Sequence, residues 1–114
     1  MAPLTPAVMH ILLSLAGGER HGYAILKDVL QQTDNQVRLG PGTLYGTLQR
    51  LMESGWVEET GGSGDDTDER RRYYRLSRSG RMALKAEVER LDALVRGARA
   101  RGIVPRALRS RNWS

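Results

Sequence analysis

Apolar residues recur at spacings of three and four along most of this chain, and glycine, proline and hydroxylic residues stand in the gaps. Val8, Ile11, Leu12 and Leu15 form one such stripe, with Met9 and Leu13 adding apolar surface beside it. Thr5-Pro6 precedes it, a hydroxyl cap followed by a proline at the first helical position, where a missing N–H costs nothing. The pattern predicts a first helix from Pro6 to about Ala16, ended by Gly17-Gly18. Ile25, Leu26, Val29 and Leu30 predict a second, opened by His21-Gly22-Tyr23 and reaching about Gln32. Asp34-Asn35 reads as a turn, and Val37-Arg38-Leu39 as a short extended segment.

The third helix has a sharp start at Gly40-Pro41-Gly42 and a sharp stop at Gly55. Leu44, Leu48, Leu51 and Met52 form its apolar stripe. The opposite face is assigned Thr43, Gly46, Thr47, Gln49 and Arg50, with Tyr45 at the border. A face meant only for water is usually rich in Glu and Lys. This one is small, hydroxylic and amide-bearing, so it can approach another surface closely. Gln and Arg pair with adenine and guanine edges in a major groove, and Thr reaches a phosphate or a thymine methyl. An ordinary surface helix built from weak helix formers is the competing reading of this face taken alone.

Beyond Gly55, Trp56-Val57-Glu58-Glu59 has the composition of a strand. A polar loop from Gly61 to Asp68 separates it from a returning strand, Arg70 to Leu76, and the two predict a hairpin. Alternation puts Arg72, Tyr74 and Leu76 on the core side, with Arg72 near the tip and reaching outward. Arg70, Arg71 and Arg72, interleaved with tyrosines, suit phosphate contact, although Asp65, Asp66, Asp68 and Glu69 make the tip acidic. Ser77 caps a final helix expected to reach about Arg101. Leu84, Val88, Leu91, Val95 and Ala98 recur along it as the seam of a coiled coil, which predicts pairing with a second copy. Gly102 ends the helix and Pro105 prevents its return.

Composition narrows the function classes. The 114 residues suit one modest core. The absence of cysteine removes disulfides, thiolate metal sites and cysteine nucleophiles. His10 and His21, without carboxylate company, read as packing and capping residues rather than ligands. No apolar run spans a bilayer and the N-terminus lacks a secretion signal, so a cytoplasmic location is expected. The net charge of +5 is a tail effect: residues 1–95 balance at −1, while residues 96–114 hold six arginines and no acid. That tail attracts polyanions, and its apolar content is too short for a membrane-surface helix.

Three helices, a hairpin and a long last helix together describe a mainly α protein: a winged helix-turn-helix over residues 1–76, a dimerisation helix over 77–101 and a basic tail over 102–114. In that arrangement the third helix enters a major groove, the hairpin touches the backbone or minor groove nearby, and a homodimer sets the half-site spacing.

Thr5-Pro6-Ala7, Ile11 to Leu15, His21-Gly22-Tyr23-Ala24-Ile25, Gly42-Thr43-Leu44-Tyr45, Leu48 with Arg50-Leu51, Gly55-Trp56-Val57, Arg72-Tyr73-Tyr74-Arg75-Leu76 and Gly80-Arg81 occur here in that order. Together they resemble the PadR family of bacterial transcriptional regulators, from about Leu4 through the last helix. The single long C-terminal helix is similar to the short members of that family. The resemblance implies a homodimeric winged-helix repressor whose first and last helices make the dimer. It also implies Pro41, Thr43, Tyr45, Thr47, Gln49 and Arg50 as DNA-facing residues, with Thr43 and Tyr45 on phosphates, Gln49 and Arg50 on bases, and Arg70, Arg71 and Arg72 as wing contacts. The family is associated with small aromatic or drug-like effectors, some held between the last helices by a tryptophan; this last helix has no aromatic residue. Trp56 aligns with an apolar core position, and Trp113 lies outside the resemblance.

The expectation is a sequence-specific regulator that binds a palindromic operator in double-stranded DNA, needs no cofactor and is not an enzyme. Gly61-Gly62-Ser63-Gly64 lacks the lysine and following helix of a phosphate loop, and no nucleophile–base pair or metal spacing stands out. The alternative is a winged-helix module that docks a protein partner without reading DNA.

Overall fold

The computed structural model describes residues 4–61 and 72–104. In chain order the elements are α1 (Pro6–Ala16), β1 (Arg20–His21), α2 (Gly22–Gln32), α3 (Pro41–Glu53), β2 (Val57–Thr60), β3 (Tyr73–Leu76) and α4 (Arg78–Ala100). The helix boundaries follow local chemistry. Thr5 Oγ1 accepts from the Val8 N–H at 3.3 Å to start α1, with Pro6 in the first turn. His21 starts α2 as a cap: its Nδ1 accepts from the Ala24 N–H at 3.2 Å. Asp34 and Asn35 make the turn after α2 at φ of 54° and 64°, the left-handed region these two residue types tolerate better than most.

α3 ends in two reinforcing bonds. The Trp56 N–H donates to Leu51 O at 2.9 Å and the Gly55 N–H to Met52 O at 3.0 Å, with Gly55 at φ 81° between them. That pairing satisfies carbonyls the helix would otherwise leave open, and its positive φ selects glycine. Ser77 Oγ accepts from the Gly80 N–H at 3.0 Å to start α4, and the Ser77 and Ser79 hydroxyls both donate to Gly55 O. The end of α3 and the start of α4 are therefore tied to one carbonyl.

The sheet departs from the two-stranded hairpin expected from sequence. It has three antiparallel strands in the order β1-β3-β2. β3 is central: Tyr74 lies opposite Arg20 on one side and Glu59 on the other, and Tyr73 lies opposite His21 and Thr60. β1 has two residues and no alternation of its own, so only its pairing with β3 makes it a strand. The Arg20 Nε–H donates to Ser14 O at 2.9 Å and ties β1 to the end of α1. Among the described residues the returning strand runs from Tyr73 to Leu76, with Arg72 just before it; Arg70 and Arg71 lie outside the described residues.

The core joins Ile11, Leu12 and Leu15 of α1, Ile25 and Val29 of α2, and Leu44, Leu48 and Leu51 of α3 with Val57, Tyr74 and Leu84. Trp56 packs partly buried against it, as the sequence reading has it. Leu84, expected on a seam between two chains, is instead 6% exposed within its own chain. Its apolar character serves the core, so it leaves the list of dimerisation residues. One compact unit runs to Leu84 and takes in the first turns of α4; a second begins at Lys85.

Candidate nucleic-acid interface

α3 presents one buried and one exposed side. Leu44, Thr47, Leu48 and Leu51 are its buried residues, at i, i+3, i+4 and i+7. That spacing is a core stripe, so Thr47, expected on the outer face, is 2% exposed and turned inward. Its polarity pointed the wrong way; its position in the stripe decided its orientation. Pro41, Thr43, Tyr45, Gln49 and Arg50 are exposed, as expected.

The start of α3 lies open to solvent. Gly40 holds the cap position and supplies no side-chain acceptor, so the Gly42 and Thr43 amides have no capping side chain. Pro41 has no N–H to satisfy. Exposed amides at the positive end of a helix dipole are ready donors to an anion, and the Thr43 hydroxyl stands beside them.

Tyr45 is 48% exposed but held from behind. A Cβ placed on Gly22 would come within 2.8 Å of Tyr45 Cζ and 3.0 Å of its Cε1. Only glycine lets the Tyr45 ring lie on the first turn of α2, which couples His21-Gly22-Tyr23 to Gly42-Thr43-Leu44-Tyr45 physically. Beside this contact the His21 and Tyr23 rings stack at 6.5 Å and the His21 and Tyr73 rings meet edge-on at 5.4 Å. The Lys27 ammonium lies 5.6 Å from the Tyr23 ring centroid. Tyr23 and Lys27, which are not among the expected DNA-facing residues, thus add an exposed hydroxyl and a cation on α2. The signal for them was Tyr23 itself, a large exposed aromatic in the His-Gly-Tyr triplet.

Arg72 is the described residue of the expected wing arginines. It is exposed, with Nε 3.4 Å from Glu59 Oε1, and Arg75 pairs with Glu58 at 3.3 Å. Ion pairs this exposed are worth about 0–1 kcal/mol and exchange readily for other anions. Burial raises the Tyr74 phenol pKa, helped by Glu59 and Tyr45 and opposed by Arg72, which also hydrogen-bonds it. The Tyr74 hydroxyl thus sits among α3, β2 and the root of the wing as a neutral group.

Arg50 and Gln49 are the long polar side chains of the outer face. The Arg50 Nη2–H donates to Thr47 Oγ1 at 3.3 Å. Gln49 has no hydrogen-bond partner among the described residues and keeps its amide free. No group of three or more acids and histidines among the described residues could hold a metal ion.

The second unit has a different character. Val88 is 43% and Leu94 57% exposed, and Val95, Ile103 and Val104 are exposed too, while Leu91 and Ala98 are half-buried. Arg90 grips Glu87 through two bonds, of 2.7 and 2.9 Å. That bidentate contact raises the Arg90 pKa further above its ordinary value, against a smaller desolvation effect. No helix among the described residues is long and apolar enough to cross a membrane. The tail from Pro105 to Ser114, with Arg106, Arg109, Arg111 and Trp113, lies outside the described residues.

Residues 11–86 match the transcriptional regulator PadR-like family. A transcriptional regulator of Mycobacterium tuberculosis is 34% identical over 88 residues, which cover 77% of this chain and 78% of that protein. An uncharacterized 37.1 kDa protein in a Streptomyces fradiae transposon is 38% identical over 88 residues, and there the chain spans only 24% of the relative's length. Among solved structures, Bacillus subtilis PadR in complex with operator DNA superposes with a TM-score of 0.64 at 22% identity, over 76% of this chain and 48% of that one.

Proposed function

The chain belongs to the PadR-like family of transcriptional regulators, and from that premise we propose that it binds a palindromic operator as a homodimer and represses transcription, with the outer face of α3 in the major groove. The observation that carries this reading is that face: an uncapped helix start followed by exposed Thr43, Tyr45, Gln49 and Arg50 over a fully buried stripe. Thr43, the Gly42 and Thr43 amides and Tyr45 hold phosphates; Gln49 and Arg50 read base edges. Pro41 shapes the entry turn. Arg72, with Arg70 and Arg71, meets the backbone from the wing, and Tyr23 and Lys27 add backbone contacts from α2. The operator complex of the Bacillus subtilis relative supports the same use of this fold.

Residues 1–76 do the binding in this account and 77–101 the pairing. Val88, Leu91, Val95 and Ala98 bring two copies together, and the twofold axis turns one reading face into two. The basic tail over 102–114 adds phosphate attraction. The protein acts in the cytoplasm without a cofactor.

Selection of duplexes from a random pool at near-physiological salt tests this. The expected result is one enriched inverted repeat, with affinity falling by a log–log slope of about 0.9 per phosphate neutralised as salt rises. A pool that stays random, with a protein partner bound through α3 instead, overturns it.

A further inference from the structure

Thr47 points into the core, yet its oxygen serves the outer face. We propose that Thr47 is a positioning residue: it holds the Arg50 guanidinium in place for base reading without touching DNA. This rests on the reading of α3 given above and assigns a new role within it.

The position would suit an apolar residue. Thr47 lies in a stripe with Leu44, Leu48 and Leu51, all three 0–5% exposed, and threonine is a poor helix former. A hydroxyl buried there costs free energy unless it is hydrogen-bonded. Its bond is the one from the Arg50 Nη2–H, at 3.3 Å. Long side chains on a helix lean back toward its N-terminus, so a guanidinium at position 50 covers the turn at 46 and 47. The guanidinium does lie over that turn: a Cβ built on Gly46 would have Arg50 Nη1 as its nearest neighbour, at an ordinary contact distance of 4.0 Å. The arginine is therefore laid along the outer surface and pinned at its far end by an oxygen that the core itself fixes.

One bond to Thr47 uses one of five guanidinium N–H groups, and the others stay free for guanine O6 and N7. An arginine loses much rotamer freedom when it binds. Pinning it beforehand removes part of that cost, which favours the specific complex over loose backbone attraction.

The test compares the duplex enriched by selection with a scrambled duplex of the same length, using the full chain. Thr47→Val keeps the shape of the buried side chain and removes the acceptor; Thr47→Ser keeps the acceptor. Thr47→Val is expected to lower the ratio of the two affinities by about threefold to tenfold, with scrambled-duplex binding and melting temperature little changed. Thr47→Ser is expected to retain the ratio, and in an Arg50→Ala background Thr47→Val is expected to have no further effect. A ratio unchanged by Thr47→Val, where Arg50→Ala lowers it, overturns the positioning role alone. A ratio unchanged by Arg50→Ala removes base reading by Arg50 and the proposal with it. An equal loss from Thr47→Val with or without Arg50 assigns Thr47 a purely structural role and also overturns the proposal.

Discussion

α3 and α4 are both amphipathic helices, and they differ in which side their own chain leaves uncovered. α3 buries Leu44, Leu48 and Leu51, half-buries Met52, and leaves a polar face with Gln49 and Arg50 exposed. α4 buries Ala83 and Leu84, then from Val88 onward leaves apolar side chains in water. The unmet demands are different in kind. A polar face with free donors is completed by a ligand that offers acceptors at fixed positions, as base edges and phosphates do. An apolar face is completed by any matching apolar surface, most simply a second copy of itself. One helix awaits a ligand with directional chemistry and the other awaits area, and a dimeric DNA-binding protein needs both.

Four substitutions sharpen this contrast. The largest expected effect is inside the covered side of α3. Leu48→Ala should lower the free energy of unfolding by about 2–5 kcal/mol, because a fully buried leucine leaves a cavity. Urea titrations at two protein concentrations should give the same loss. Val95→Asp should act through the uncovered side of α4, removing about 2 kcal/mol of burial per copy from the paired state. Sedimentation should show dissociation at concentrations where the parent chain is dimeric, while the circular dichroism of the monomer stays intact. A monomeric parent chain would break the comparison at this point.

The outer face of α3 comes next. Arg50→Ala should weaken binding of the selected duplex by about 1–3 kcal/mol with unchanged stability, the worth of one good base contact. Equilibrium titration against the selected and scrambled duplexes reads it. The smallest effect belongs to Tyr74. Its phenol pKa is raised in the folded chain, so the folded state holds this proton at pH values where the unfolded chain has lost it. The stability it contributes is complete below the ordinary tyrosine value of about 10 and is lost as the pH rises through the folded value. Stability measured at increasing pH above 10 should therefore fall less steeply in Tyr74→Phe than in the parent chain.

Much of the fold is written in local signals. Thr5-Pro6, Gly40-Pro41 and Gly55 mark helix ends through backbone chemistry that needs no tertiary context, and the structure keeps all three. The face of Tyr74 was likewise legible from alternation. What was not legible depends on partners distant in sequence. β1 exists because Arg20 and His21 meet Tyr74 and Tyr73, and two residues carry no period of their own. Leu84 fits a heptad seam and a core stripe equally well, and periodicity does not say which surface arrives to cover it. Thr47 carries a polar side chain at a core spacing from Leu44 and Leu51, and the spacing, not the polarity, decides which way it turns. The packing of Tyr45 on Gly22 was present only as two separate motifs until the chain folded them together.

The most direct measurement uses the absence of cysteine from this chain. Gln49→Cys can carry an iron chelate that cuts DNA within reach of the outer face of α3, with Asp92→Cys on the exposed side of α4 as the comparison. On the selected duplex, label at position 49 should cut inside the major groove in two clusters separated by one helical turn, about 34 Å, or a multiple of it. A single cluster, or cutting no stronger than from position 92, would contradict a paired reading face on α3.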